Sequence, residues 1–185
     1  MQKVAYRVFM DYEKEEAWLN EMAAKGFALT DFFFCRYKFS DCEPGEYIYR
    51  IELLDNLPSH MESRAYIDFM AENGVEHVAS WFRWVYFRRK AGDGQFDIYS
   101  DIGSRIKHYQ GILALWLPIL IMDAIIGVMN LVQGIGRLAE GGREDASFSV
   151  IIGSVLIALA AAIFYHWVAM RIKINRLKKA KQLLE

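Results

Sequence analysis

Cysteine, proline and histidine are scarce: two, three and four residues respectively in a chain of 185. Cys35 and Cys42 are seven apart, which matches no zinc-ligand spacing, and no histidine pair lies near them. They read as free thiols of a reducing compartment. His60, His77, His108 and His166 are scattered, none with a second ligand at helical or finger spacing, so neither a metal nor a cofactor is expected. The stretches "AGDGQF" and "GIGRLAEGG" are Gly-rich but have neither phosphate-loop nor dinucleotide spacing, and Gly-x-Ser-x-Gly is absent. The acids of "DYEKEEAWLNE" fall in the first turn and on the outer face of an amphipathic helix, which reads as solvated surface. No nucleophile–base or metal set assembles, and the expectation is a protein without catalytic activity. No long apolar run precedes residue 110, so the hydrophobic segments are not a signal peptide.

What is present is unevenly distributed. Residues 1–109 hold 22 of the 27 aromatics, and there 14 Lys and Arg stand against 18 Asp and Glu, a net of −4. Two apolar runs follow, 112–132 and 148–169, each about 21 residues. A helix rising ~1.5 Å per residue needs about 20 to cross the hydrocarbon core. The organisation expected is a small cytoplasmic domain (1–110), a two-helix transmembrane hairpin (111–170) and a basic cytoplasmic tail (171–185). Lys and Arg are retained on the cytoplasmic side during insertion. Arg88, Arg89, Lys90, Arg105 and Lys107 precede the first run, whereas the connecting loop balances Arg137 and Arg143 against Glu140, Glu144 and Asp145. Both termini are therefore expected in the cytoplasm of a multi-pass cell-membrane protein. Trp116, Tyr165, Trp167 and Phe148 suit headgroup-level aromatic belts.

The first run contains one charge. Asp123 shares a helical face with Gly127, Asn130 and Gly134, at i, i+4, i+7 and i+11. An acid at the bilayer centre costs at least ~2.5 kcal/mol when exposed to lipid. This face is expected to meet the small-residue stripe Ser154, Ala158 and Ala162 of the second run, or the same face in another chain of a homo-oligomer. Arg171, Lys173, Arg176, Lys178 and Lys179 lie where the cytoplasmic leaflet is anionic and are expected to contact lipid headgroups.

In the soluble part, "KVAYRVF" alternates Val4, Tyr6 and Val8 against Lys3, Ala5 and Arg7 and reads as a strand. Asp11 caps a helix with Trp18, Leu19, Met22 and Ala23 on one face, ended by Gly26. Strands follow at 27–34, "RYKFS" and "EYIYRIEL", the last two separated by the Pro44-Gly45 turn. Ser59 and Glu62 have capping-box spacing, opening a helix with Tyr66, Phe69 and Met70 inward that stops at Gly74. "VEHVASWFRWVYFRRK" is strand again, as one or two strands, and "AGDG" turns into "FDIYS". A final amphipathic helix, roughly Ser100 to Tyr109, runs into the first apolar run. The order β-α-β-β-β-α-β with extra strand at the end implies an α+β fold: an antiparallel sheet with two helices on one face, ferredoxin-like or related.

Aromatics exceed what one small core face needs. Tyr47, Tyr49, Trp84 and Tyr86 are the candidate docking surface, for a protein partner or the membrane. Base stacking is rejected, because the domain is acidic and nucleic-acid binders carry a basic footprint.

"RVFMDYEKEEAWLNEMAAKGFAL", "RYKFSDCEPGEYIYRIELL", "FMAENGVEHV" and "WVYFRRK" together resemble the DUF2812 family, a bacterial family with no assigned activity. "CEPGEYIYRI" is the most telling stretch, and the resemblance covers about Lys3 to Tyr109. It implies continuation into membrane spans and a functional link to PadR-type regulators, whose genes often lie beside those of the family. It supplies no catalytic residue. The expected function is a membrane-anchored regulatory, sensory or accessory module that binds a protein partner or small effector. The alternative is a small transporter or transporter subunit using Asp123.

Overall fold

The computed structural model describes residues 2–99, 101–142 and 144–184, apart from the side chains of 2, 144, 145 and 184. It forms two compact units, Met1–Ser100 and Asp101–Glu185.

The first unit runs β1 (Gln2–Tyr6), α1 (Tyr12–Ala24), β2 (Phe27–Phe33), β3 (Arg36–Asp41), β4 (Tyr47–Leu53), α2 (Met61–Glu72), β5 (Glu76–Trp81) and β6 (Trp84–Lys90), with a short 3-10 turn at Ala91–Asp93. The α+β class with antiparallel pairing is as expected. The single sheet is not: there are two three-stranded sheets, ordered β1-β3-β2 and β4-β6-β5. Each is built by the same β-α-β-β unit with the same strand order. The two copies align at an offset of 48 residues. Gly26 and Gly74 follow α1 and α2 at φ 82° and 78°, where glycine carries no Cβ penalty. β2 is bulged between Leu29 and Asp31, and β5 between His77 and Ala79.

The bulges explain why the sheets stay separate. They sit on the outer strands β2 and β5, and a bulge disrupts the ladder of the edge that carries it. Side chains bridge the gap instead. The Leu29 N–H donates to the Tyr49 hydroxyl at 2.8 Å, and Arg88 Nη1 donates to the Leu29 carbonyl at 3.2 Å. Arg88 is itself held by Glu76, at 2.8 Å from each of Nε and Nη2. The β4 edge is closed by α1: Asn20 accepts from Tyr49 N–H at 2.8 Å and donates to its carbonyl at 3.2 Å, and Glu16 accepts from Ile51 N–H at 3.0 Å. Unpaired edges template aggregation, and these contacts occupy two of them.

α1 lies between the sheets. Asp11 caps it, accepting from Glu13 N–H at 3.0 Å. Leu19, Met22 and Ala23 join Leu29, Phe32, Tyr37 and Phe39 from one sheet and Tyr49, Ile51 and Tyr86 from the other in the main core. Each fully buried large side chain there stabilises by ~1.5–3 kcal/mol. A second core holds Met70 of α2 with Val85, Phe87 and Phe96, on the opposite face of the β4-β6-β5 sheet.

Several local expectations are corrected. β1 ends at Tyr6 rather than reaching Phe9; it turns Ala5 inward and leaves Val4 and Tyr6 exposed at 50% and 76%, and Val8 beyond it is 73% exposed. Ala5 fits because the sheet's core face is already filled by Tyr37, Phe39 and α1. The cap of α2 is His60, with no side-chain hydrogen bond, and Phe69 faces out. The stretch 76–90 is a hairpin turned at Phe82, which takes φ 55° without glycine or proline to signal it. "FDIYS" is irregular, with Phe96 and Ile98 in the second core; Ser100 lies outside the described residues.

The second unit is an antiparallel helical hairpin of α3 (Ile102–Ala139) and α4 (Glu144–Leu184). Asp101 caps α3, accepting from Ser104 N–H at 2.8 Å. The amphipathic segment before the first apolar run and the basic tail after the second are continuous with these helices, as expected. The connection is shorter than the Gly-rich sequence suggested. α3 persists to Ala139 and ends at Gly141 (φ 89°), with Gly142 N–H bonded to the Arg137 carbonyl at 3.0 Å. Arg143 lies outside the described residues.

Candidate functional site

Sequence reasoning placed the docking surface on Tyr47, Tyr49, Trp84 and Tyr86. The structure buries two of these. Tyr49 is 0% and Tyr86 3% exposed, while Tyr47 and Trp84 are half-buried against the same core. Alternation alone cannot show that a second sheet and a helix cover the outer face of a strand. The exposed aromatics of the first unit are elsewhere: Tyr6 on β1, Phe33, Phe34, Trp81 and Phe82 at the β2–β3 and β5–β6 turns, and Phe69 on α2.

The acids of α1 are also corrected. Glu15 is 9% exposed and lies inside the core. Its Oε1 accepts from the hydroxyls of Tyr37 and Tyr86, both at 2.7 Å, so one carboxyl ties β3 to β6. The signal was present in the sequence: Glu15 is i−3, i−4 and i−7 from Trp18, Leu19 and Met22, on the apolar stripe. A second cluster has the same form, with Glu52 accepting from Tyr66 at 2.8 Å and hydrogen-bonded to Tyr99. Burial raises Glu15 and Glu52 above the ordinary glutamate range, and the tyrosine bonds offset this only in part. Burial raises Glu16 likewise, opposed by the Ile51 N–H and Arg50.

These shifts set a pH dependence. The folded unit holds the three protons more tightly than the unfolded chain, where they leave near 4.5. Their contribution to stability is therefore complete below pH 4.5 and declines as pH rises through the higher folded values. Glu15→Gln retains an acceptor for both hydroxyls and removes the titration. The thermal midpoint of the full chain in detergent is expected to fall less steeply between pH 4.5 and neutrality in this variant than in the parent. Identical slopes would sink the assignment.

Both helices of the second unit are long and apolar enough to cross a membrane, and only 17% and 11% of their most apolar windows is buried. The core helix of a soluble protein would be mostly covered. α3 meets α4 through Gly127 and Gly134, both buried. A Cβ on Gly127 would lie 3.0 Å from Ile157 Cδ1, and one on Gly134 would lie 2.7 Å from Val150 Cγ2. On α4 the contact is made by Ala146, Val150, Gly153, Ile157 and Ala160. The predicted stripe is rotated away from it: Ser154, Ala158 and Ala162 are exposed, and the Ser154 hydroxyl bonds back to the Val150 carbonyl at 2.8 Å. The reason is steric. At Gly153 a Cβ would stand 2.8 Å from the Gly127 carbonyl oxygen and from Leu131 N, an approach only glycine permits.

Asp123 is half-buried, and its Oδ2 is covered with no hydrogen-bond partner among the described residues. Asn130 donates to the Ile126 carbonyl of its own helix at 2.8 Å. The polar face is thus brought together on α3, and among the described residues Asp123 Oδ2 finds no hydrogen-bond partner on α4. Arg171, Arg176, Lys178 and Lys179 are exposed, and Lys173 lies 4.8 Å over the Tyr109 ring. Cys35 and Cys42 are free thiols. Among the described residues no three His, Cys, Asp or Glu side chains are placed to hold a metal ion.

No curated protein and no solved structure matches the chain. A family model described as "Protein of unknown function (DUF2812)" matches residues 11–121, from the cap of α1 into the apolar part of α3. That span is well over half of the 185 residues, and the chain belongs to the DUF2812 family.

Proposed function

We propose that this chain is a multi-pass membrane-anchored module, with both termini in the cytoplasm, whose soluble unit binds a protein partner or small effector and performs no catalysis. The observation that carries the reading is the outward apolar surface of α3 and α4, most of it uncovered, attached to a small folded unit. The distribution of Lys and Arg supports the orientation, and the exposed basic residues of α4 suit anionic headgroups. For the partner, α2 presents Met61 and Phe69, 80% and 57% exposed, with Leu57 before it at 48%. Exposed apolar side chains of this size are the anchors a protein partner would take up. Family resemblance extends the proposal to a link with a PadR-type regulator. A photo-crosslinker at Phe69, used in native membranes, is expected to trap one reproducible protein, and the absence of any reproducible adduct would count decisively against the reading.

A transport role is the second reading, favoured by the covered, unpartnered Oδ2 of Asp123 between two apolar helices. In this role Asp123→Asn abolishes proton or ion flux through reconstituted vesicles while leaving expression and folding intact. Flux equal to the parent's, or none in either protein, eliminates it.

A further inference from the structure

The first unit is acidic as a whole, yet two of its turns carry an excess of cations. Residues 32–40 and 77–90 contain no Asp or Glu. These segments supply the β2–β3 and β5–β6 turns. Their tips are aromatic and exposed: Phe33 61%, Phe34 64%, Trp81 37% and Phe82 55%. The rings of Phe34 and Trp81 are 5.8 Å apart, so the two turns form one surface. β1 extends it, because Tyr6, 76% exposed, stands opposite Arg36, which stands opposite Phe33.

The backbone makes this surface unusual. Phe34, Cys35 and Phe82 take φ of 33°, 65° and 55°, a region that bulky residues avoid and glycine enters freely. Strained positions of this kind cluster where a side chain has a task. Here the strain holds phenyl rings at the tips of turns, where solvent gains nothing from them.

We propose that these two turns dock on the bilayer that α3 and α4 cross, with the rings at headgroup depth and Arg36 and Arg83 toward anionic phosphates. The inference rests on the reading that α3 and α4 are membrane-spanning. Phe and Trp beside Arg36, Lys38 and Arg83, with Asp31 of the same hairpin 3.9 Å from Arg36 and 3.0 Å from Lys38, leave an excess of cations at the turns, which is the chemistry of an anionic membrane interface. Arg83 Nε is bonded to the Leu54 carbonyl and Arg36 Nη2 lies 3.9 Å from Asp31, so both guanidinium groups keep donors for phosphate. A second copy suits the surface less well, since a two-fold contact through these turns sets Arg36 and Arg83 against their own kind. Covalent attachment to the membrane helices supplies the effective concentration that a weak peripheral contact needs.

The test uses the full chain with Cys42→Ser, leaving Cys35 at the turn as the one thiol for an environment-sensitive fluorophore. The protein is placed in vesicles of phosphatidylcholine with a minority of phosphatidylglycerol, both brominated on the acyl chains. Emission from Cys35 is expected to shift blue and to be quenched. The double variant Phe34→Ser, Phe82→Ser, which removes two exposed rings and leaves the cores intact, lowers the quenching on the order of tenfold. Omitting phosphatidylglycerol weakens it, and a label at Asn73→Cys, past α2, is not quenched. A label at Val128→Cys in mid-α3 reports the spans separately. Quenching at Val128 without quenching at Cys35 overturns docking and keeps the membrane reading, and quenching at neither position overturns both. A lipid-independent blue shift at Cys35 that grows with protein concentration assigns the surface to a second copy and overturns the proposal.

Discussion

Tyr49→Ala is expected to produce the largest loss of stability of any single substitution in the first unit. The ring is fully buried in the main core, and truncating such a side chain costs about 3–5 kcal/mol. Its hydroxyl also accepts the Leu29 N–H at 2.8 Å and is bonded by Arg88. Losing it strands a donor at the unladdered edge of β2, at roughly 1–3 kcal/mol. A domain of this size has only about 5–15 kcal/mol in total. The thermal midpoint, followed by near-ultraviolet circular dichroism of the full chain in detergent, is expected to drop by roughly 20 °C or more. Tyr49→Phe keeps the ring and isolates the hydroxyl, so its loss is the smaller part of the whole. Tyr6→Ala, at an exposed site on β1, is expected to leave the midpoint in place. A Tyr49→Ala protein melting within a few degrees of the parent would refute the position assigned to this ring.

Tyr49 also shows where sequence reading stops. Alternation in "EYIYRIEL" identifies β4 and puts Tyr47, Tyr49 and Ile51 on one face. Whether that face meets solvent depends on the element above it, and here α1 and the other sheet cover it. Element order, both ends of α1 and the end of α2 at Gly74 were legible because glycines, the Asp11 cap and the Pro44-Gly45 turn are local signals. The repeated β-α-β-β arrangement leaves a trace in the sequence too, though a faint one. "EMAAKGF" and "FMAENGV" recur 48 residues apart, and Phe34 and Phe39 correspond to Phe82 and Phe87. Divergence at the intervening positions hides it, because the two helices serve different cores: α1 carries the buried Glu15 where α2 has Ser63. The β5–β6 turn was ambiguous because Phe82 occupies a left-handed position without a turn residue. The two long apolar helices were the easiest part to recognise, since length and composition suffice. Their contact face was not, because a run such as "IIGSVLIALAAAI" offers several stripes of small residues and only the partner's backbone selects one.

That selection predicts the outcome of filling Gly153. A side chain there would enter the space of the Gly127 carbonyl oxygen and the Leu131 amide, each 2.8 Å from the position of a Cβ, and backbone cannot rotate aside. Gly134 against Val150 repeats the same close approach nearer the connection. Gly153→Leu is therefore expected to drive α3 and α4 apart, from a glycine-mediated contact near 8 Å toward the ~10 Å of contacts lined by large side chains. Overpacking of this kind costs about 1–3 kcal/mol. Spin labels at Ile119 and Phe164, both exposed, report the separation by pulsed electron resonance in a chain lacking Cys35 and Cys42. The distance distribution should move outward by about 2 Å or broaden as the pair loosens. Ala158→Leu makes the opposing comparison, because Ala158 is exposed and its added methyl groups meet no helix. If Ala158→Leu widens the pair and Gly153→Leu leaves it unchanged, the helices meet through the Ser154, Ala158 and Ala162 stripe after all. The converse result fixes the rotation of α4, with Gly153 and the buried Ala160 turned toward α3.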